Sequence, residues 1–115
     1  MKKNSNNLEL LFGVCPYATA QQILIGKWAI VVMEHLVKNK ILRFSELQRL
    51  LPGITQSSLT KQLRILEEYR IVLRVVYPEV PPKVEYSLTE IGQEFHHVLE
   101  ALDIWGSKYI VAIND

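Results

Sequence analysis

Four side chains stand out in the segment "PGITQSSLTKQLRILEEYRIV", Pro52 to Val72: Ser57, Thr60, Lys61 and Arg64. On a helical wheel they share one side, with Gln56 at the flank, while Leu59, Leu63 and Leu66 share the other. Hydroxyls, an amide and two cations, with no acid in the first two turns, match the chemistry of a DNA duplex. Arg or Lys can bond guanine, Gln can bond adenine, and Ser or Thr can bond bases or phosphates. A helix N-terminus adds a preference for phosphate. Glu67 and Glu68 fall at the far end, where they need not meet DNA. An ordinary solvated face has the same composition, so the surrounding elements must decide.

Those elements form a recognisable order. In "ILRFSELQRLL" a short strand or turn precedes a helix, with Ser45 as the expected N-cap, Gln48 three residues on, and Leu47, Leu50 and Leu51 as the buried side. Pro52-Gly53 breaks that helix and Thr55 caps the next. Ile54 and Leu59 have the spacing of a hydrophobic staple. Helix, tight turn with Gly, helix is the helix-turn-helix pattern. After Tyr69 the period becomes extended: "IVLRVVY" and "KVEYSL" are strands, and three prolines in "PEVPP" stiffen the hairpin tip. That hairpin bears Arg74 and Lys83 as expected phosphate or minor-groove contacts, which makes the unit a winged helix.

Upstream, Pro16 suits the first turn of a helix running to about Leu24, with Cys15 just outside it. "KWAIVVMEHLVKN" follows, apolar almost all round, and reads as the central core helix. Downstream, Thr89 is expected to cap one long helix. Its apolar residues Ile91, Phe95, Val98, Leu102, Trp105, Tyr109 and Ala112 alternate spacings of four and three, a heptad stripe. Val98, Leu102, Trp105 and Tyr109 are expected in an interface with a second copy. The fold class is mainly α with a small β-hairpin, a winged helix-turn-helix with terminal dimerisation helices. Residues 1–115 read as one domain, with 1–14 a loose N-terminal segment and 90–113 the dimerisation helix.

The net charge of +1 hides an asymmetry. From Lys38 to Lys83 nine Lys/Arg face four Glu, net +5, and from Val84 to Asp115 one Lys faces six Asp/Glu, net −5. A basic middle attracts phosphate whatever the total. No apolar run reaches the roughly 18 residues of a membrane span, and the N-terminus lacks a secretory pattern. One cysteine and no signal fit a reducing cytoplasm. No nucleophile–base pair, phosphate loop or paired carboxylates argue for an enzyme, and no cofactor motif stands in the chain. His96 and His97 are adjacent and are expected to point apart, and no Cys/His cluster has zinc spacing.

The stretches "CPYATAQQILIGKW", "RFSELQRLLPGITQSSLTKQLRILE", "VYPEVPPKVEYSLTEIG" and "ALDIWG" resemble the HxlR-type transcriptional regulators, related in fold to the MarR-type winged-helix repressors. The resemblance covers Cys15 to about Gly106. It implies a dimeric regulator that binds double-stranded DNA and dimerises through terminal helices. It also implies that Cys15 can sense a small electrophile or oxidant, as the matching cysteine does in some relatives. A cysteine at a helix N-terminus gains from the helix dipole, which favours thiolate. The chain departs from the family at Tyr69-Arg70, where an acid and a Gly are usual, so Arg70 must either adopt a left-handed conformation or end the helix differently. A winged-helix module that binds protein instead of DNA remains the alternative reading.

Overall fold

The computed structural model describes residues 7–115. In chain order the elements are α1 (Asn7–Leu10), α2 (Pro16–Ile23), α3 (Ala29–Asn39), β1 (Ile41–Arg43), α4 (Phe44–Leu50), α5 (Gln56–Glu68), β2 (Val72–Tyr77), β3 (Lys83–Leu88), α6 (Glu90–Gln93) and α7 (Phe95–Ile113). The expected loose segment 1–14 needs correction from residue 7 onward. Asn7–Leu10 is helical, the N–H groups of Phe12 and Val14 donate to Glu9 and Leu11 carbonyls, and the Phe12 ring lies 5.6 Å from that of Tyr69. Residues 1–6 of that segment lie outside the described residues.

The core forms where the helical periods dictate. Met33 and Leu36 of α3, Leu47 of α4, and Leu59, Leu63 and Leu66 of α5 are all buried. Each buried Leu or Met contributes about 1.5–3 kcal/mol of apolar transfer, an upper figure for an extended unfolded chain. Trp28 and His35 sit at the core edge, half-buried. The α4 expectations are corrected in two places. The N-cap is Arg43 rather than Ser45, because β1 runs straight into the helix. The Arg43 N–H donates to Glu46 Oε1 at 2.7 Å. Arginine has no acceptor to return, so this is half a capping box. Leu50 is exposed, leaving Leu47 and Leu51 as the buried side.

The hairpin is part of a three-stranded antiparallel sheet of order β1-β3-β2. Ile41, Leu42 and Arg43 pair with Ser87, Tyr86 and Glu85. The long terminal helix expected from Thr89 is two helices. The Thr89 hydroxyl accepts from Gly92 N–H and caps only α6, and α7 restarts after Glu94. Gly92 packs so closely on the Ile71 carbonyl that a Cβ there would collide with it. α6 is therefore fixed to the exit of α5, and α7 departs along α3. The 90–113 segment is accordingly a one-turn helix followed by a 19-residue one. α7 buries none of its residues completely, and the radius of gyration is 16.1 Å, above the roughly 13 Å of a compact chain of this length.

Arg70 answers the question raised by the sequence: it is left-handed, φ +62°. α5 ends in a full Schellman motif, with Ile71 N–H donating to the Leu66 carbonyl at 2.9 Å and Arg70 N–H to Glu67 at 3.0 Å. A non-glycine residue pays about 1–2 kcal/mol for that conformation. Arg70→Gly is therefore expected to raise stability by about 0.5–1 kcal/mol, after allowing for the extra freedom of glycine in the unfolded chain. Thermal or urea denaturation checks this. Gly92→Ala should go the other way, because its Cβ meets backbone that cannot retreat.

Candidate nucleic-acid interface

The helix-turn-helix is α4, a turn at Pro52-Gly53, and α5. Gly53 supplies φ +89°, and the Thr55 hydroxyl accepts from Ser58 N–H at 3.0 Å. Ile54 and Leu59 are both buried, as a staple requires. Gln62, on the inner side of α5, is buried and donates through Nε2 to the Ile25 carbonyl at 3.1 Å. A Cβ on Gly26, whose φ is +104°, would run into that amide. The loop between α2 and α3 thus pins α5 at its middle. The opposite side of α5 is turned to solvent.

On that outer side Gln56, Ser57, Lys61 and Arg64 are exposed and Thr60 is half-buried. The Thr60 hydroxyl donates to the Gln56 carbonyl at 2.9 Å, so it faces a ligand as an acceptor. Ser57 and Lys61 share an open surface with Gln56, Thr60 and Arg64. Gln56, Thr60 and Arg64 also border a groove of about 390 Å³ between α5 and the sheet, and Arg74 enters it from the other wall. Its floor includes Phe44 and Tyr86. Arg74 is the register partner of Tyr86, so both project from the face of the sheet that covers α5.

Lys83 is not brought to that groove. It pairs with Tyr77, one strand position out of phase with Arg74 and Tyr86, and therefore projects from the opposite face. Its ammonium lies 3.7 Å from the Glu85 carboxylate and 4.6 Å from the centroid of the Tyr77 ring. Sequence reasoning missed Glu67, which lines the groove with Arg64 and Arg74. The signal was present, since Glu67 follows Arg64 by three residues and such pairs share a helix face.

Cys15 is half-buried at the N-cap of α2, and its side chain makes no capping bond. Its backbone is tightly held: Thr19 Oγ1 donates to the Cys15 carbonyl at 2.7 Å and accepts from Gly13 N–H at 2.8 Å. On α7, Val98, Trp105 and Tyr109 are exposed, Leu102 is half-buried, and the Trp105 and Tyr109 rings stack 5.6 Å apart. The histidines correct an expectation. The His96 and His97 rings lie 3.8 Å apart instead of diverging, because His96 turns back to the Gln93 carbonyl at the helix start.

A helix-turn-helix with a cationic reading face and a β wing beside it defines the winged-helix class of regulator. The HxlR-like helix-turn-helix family model matches residues 23–114, and the chain belongs to that family of transcriptional regulators. It is 47% identical over 98 residues to the HTH-type transcriptional regulator YdeP of Bacillus subtilis (strain 168), covering 85% of this chain and 76% of YdeP. Two solved structures are similar in fold as well. The HTH-type regulator ytcD matches with TM-score 0.78 at 42% identity, over 84% of this chain and 98% of that one. The redox regulator HypR in its reduced form matches with TM-score 0.80 at 39% identity, over 87% of this chain and 98% of that one.

The geometry separates the two cations of α5: Arg64 reaches the groove and the open surface, Lys61 only the open surface. Arg64→Ala and Lys61→Ala should each weaken binding to duplex DNA with the circular dichroism spectrum unchanged. A lost phosphate contact lowers the salt slope by about one, whereas a lost base contact costs about 1–3 kcal/mol and relaxes specificity at one position. Fluorescence anisotropy across a salt series reads both. Unaltered binding by the double variant would remove this face from the interface.

Proposed function

We propose that the protein is a cytoplasmic, sequence-specific DNA-binding transcriptional regulator that acts as a homodimer on a near-palindromic site. The observation that carries this reading is the convergence of Arg64, Gln56 and Thr60 of α5 with Arg74 of β2 on one groove. Gln56, Ser57 and Thr60 lie at the N-terminal end of α5, where a reading helix enters the major groove, and Lys61 and Arg64 lie nearer the phosphates. Arg74 adds a wing contact. Lys83 is a weaker one, because its charge is shared with Glu85. Selection of bound duplexes from a random pool tests the reading and reports the half-site spacing. Failure to retain any duplex would favour the protein-interaction reading.

The homodimer rests on α7. Val98, Trp105 and Tyr109 are large apolar groups left exposed on a projecting helix. An exposed apolar stripe of that length marks an interaction surface. A two-fold axis relating two reading helices calls for half-sites about 10 base pairs apart or a multiple of that. Leu102→Glu is expected to yield monomer, or a chain that no longer folds, in light scattering. A well-folded dimer from that variant would overturn the assignment of α7.

Cys15 is the proposed entry point for an electrophile or oxidant. Support comes from the similarity to HypR, named a redox regulator, and from the position of Cys15 at a helix N-terminus. With one cysteine in the chain, the product is an alkylated thiol, a mixed disulfide or a bond between subunits. Modification changes DNA binding only if it strains one state more than the other. Diamide or a quinone should lower operator binding of the wild type and leave Cys15→Ser unaffected. Equal responses would make Cys15 a structural residue.

A further inference from the structure

On the outer face of the wing Tyr77, Lys83 and Glu85 form one cluster. Tyr77 and Lys83 are register partners, and Glu85 follows two residues along β3 on the same face. The Lys83–Glu85 ion pair is 3.7 Å long, with side chains only 25% and 23% exposed. The Lys38–Glu34 pair on α3, by contrast, is 64% and 41% exposed. The Tyr77 ring packs against the same ammonium. The neighbouring Glu85 carboxylate raises the Tyr77 phenol above its ordinary pKa. Arg43 faces Glu85 across β1 and β3 in the register, yet the ion pair forms with Lys83.

We propose that Glu85 is a positioning residue that withholds the charge of Lys83 from DNA, so that Arg74 carries the electrostatic contribution of the wing. The proposal rests on the DNA-binding reading above. A cation that already holds a carboxylate and an aromatic face presents little net charge to a phosphate and must give up both to bind one. Salt dependence counts the phosphates that cations neutralise, so a paired lysine adds little to it. Among the described residues Arg74 makes no ion pair, although Glu67 lines the same groove, so its guanidinium is not committed as Lys83 is. Restraining a phosphate contact leaves more of the affinity to base edges, where sequence is read.

The experiment titrates a labelled mixed-sequence duplex into wild type, Glu85→Gln, Lys83→Met and the double variant across about 50–200 mM salt. In the wild-type background Glu85→Gln is expected to tighten binding at the lowest salt. It should also steepen the slope of log K on log salt by about 0.9, the value of one phosphate, so a fourfold rise in salt costs that variant about 3.5-fold more affinity than wild type. In the Lys83→Met background the same change should leave the slope unaltered. Equal steepening in both backgrounds, or none in the first, overturns the proposal. A second measurement needs no DNA. Ultraviolet titration of the phenols, with Tyr77 assigned by difference from Tyr77→Phe, should show Tyr77 falling toward its ordinary range in Glu85→Gln, and an unchanged titration overturns the cluster. Wild type that binds no duplex removes the DNA-binding reading and the proposal together, whereas wild-type binding with an unchanged Glu85→Gln slope removes the proposal alone.

Discussion

The carbonyl oxygen of Ile71 is where the reading helix, the wing and the terminal helices meet. It accepts from Thr89 N–H at 3.0 Å and from Thr89 Oγ1 at 3.1 Å, while Gly92 packs against it. The same Ile71 closes the Schellman motif of α5 through its N–H, and its side chain is buried with Leu66. One residue therefore sets the exit of α5, the start of β2 and the origin of α6. The left-handed Arg70 is tolerated because these bonds over-determine the turn, its own carbonyl, 2.7 Å from Thr89 Oγ1, sharing the single Thr89 hydroxyl proton with the Ile71 carbonyl. The angle between wing and reading helix, on which the shared groove depends, is a consequence of this junction.

Strand alternation then sorts the charges of the wing. Arg74 and Tyr86 fall on the face that meets α5, and Lys83, Glu85 and Tyr77 on the other. Two cations close together in a basic segment thus have different surroundings. One borders a groove with Arg64, and the other is engaged by an acid and a ring. The basic segment counted along the chain overstates the cationic surface offered beside α5, because counting cannot see which cations are already partnered.

The terminal helix poses the opposite problem. α7 has no fully buried residue, although Val98, Ile104, Trp105, Tyr109 and Ile110 are apolar. Its stability as a helix must come from burying part of that surface, since propensity alone supports long helices weakly in water. The same need for burial links α7 to α2, through an apolar hollow bordered by Ile23, Ile91, Phe95 and Val98.

The local elements and the family could be read from the residues alone. The cap at Thr55, the turn at Pro52-Gly53, the leucine face of α5 and the two wing strands were all legible, because each depends on residues within one or two turns of itself. The remaining features depend on partners far along the chain. β1 reads as a strand only because Ser87, Tyr86 and Glu85 lie beside it, and that pairing moved the α4 cap from Ser45 to Arg43. The heptad stripe runs through Glu94 without interruption in the sequence, but α6 ends before Glu94 and α7 starts after it. The faces of Arg74 and Lys83 required the register, which a five-residue link between β2 and β3 does not specify and a one-residue slip would reverse.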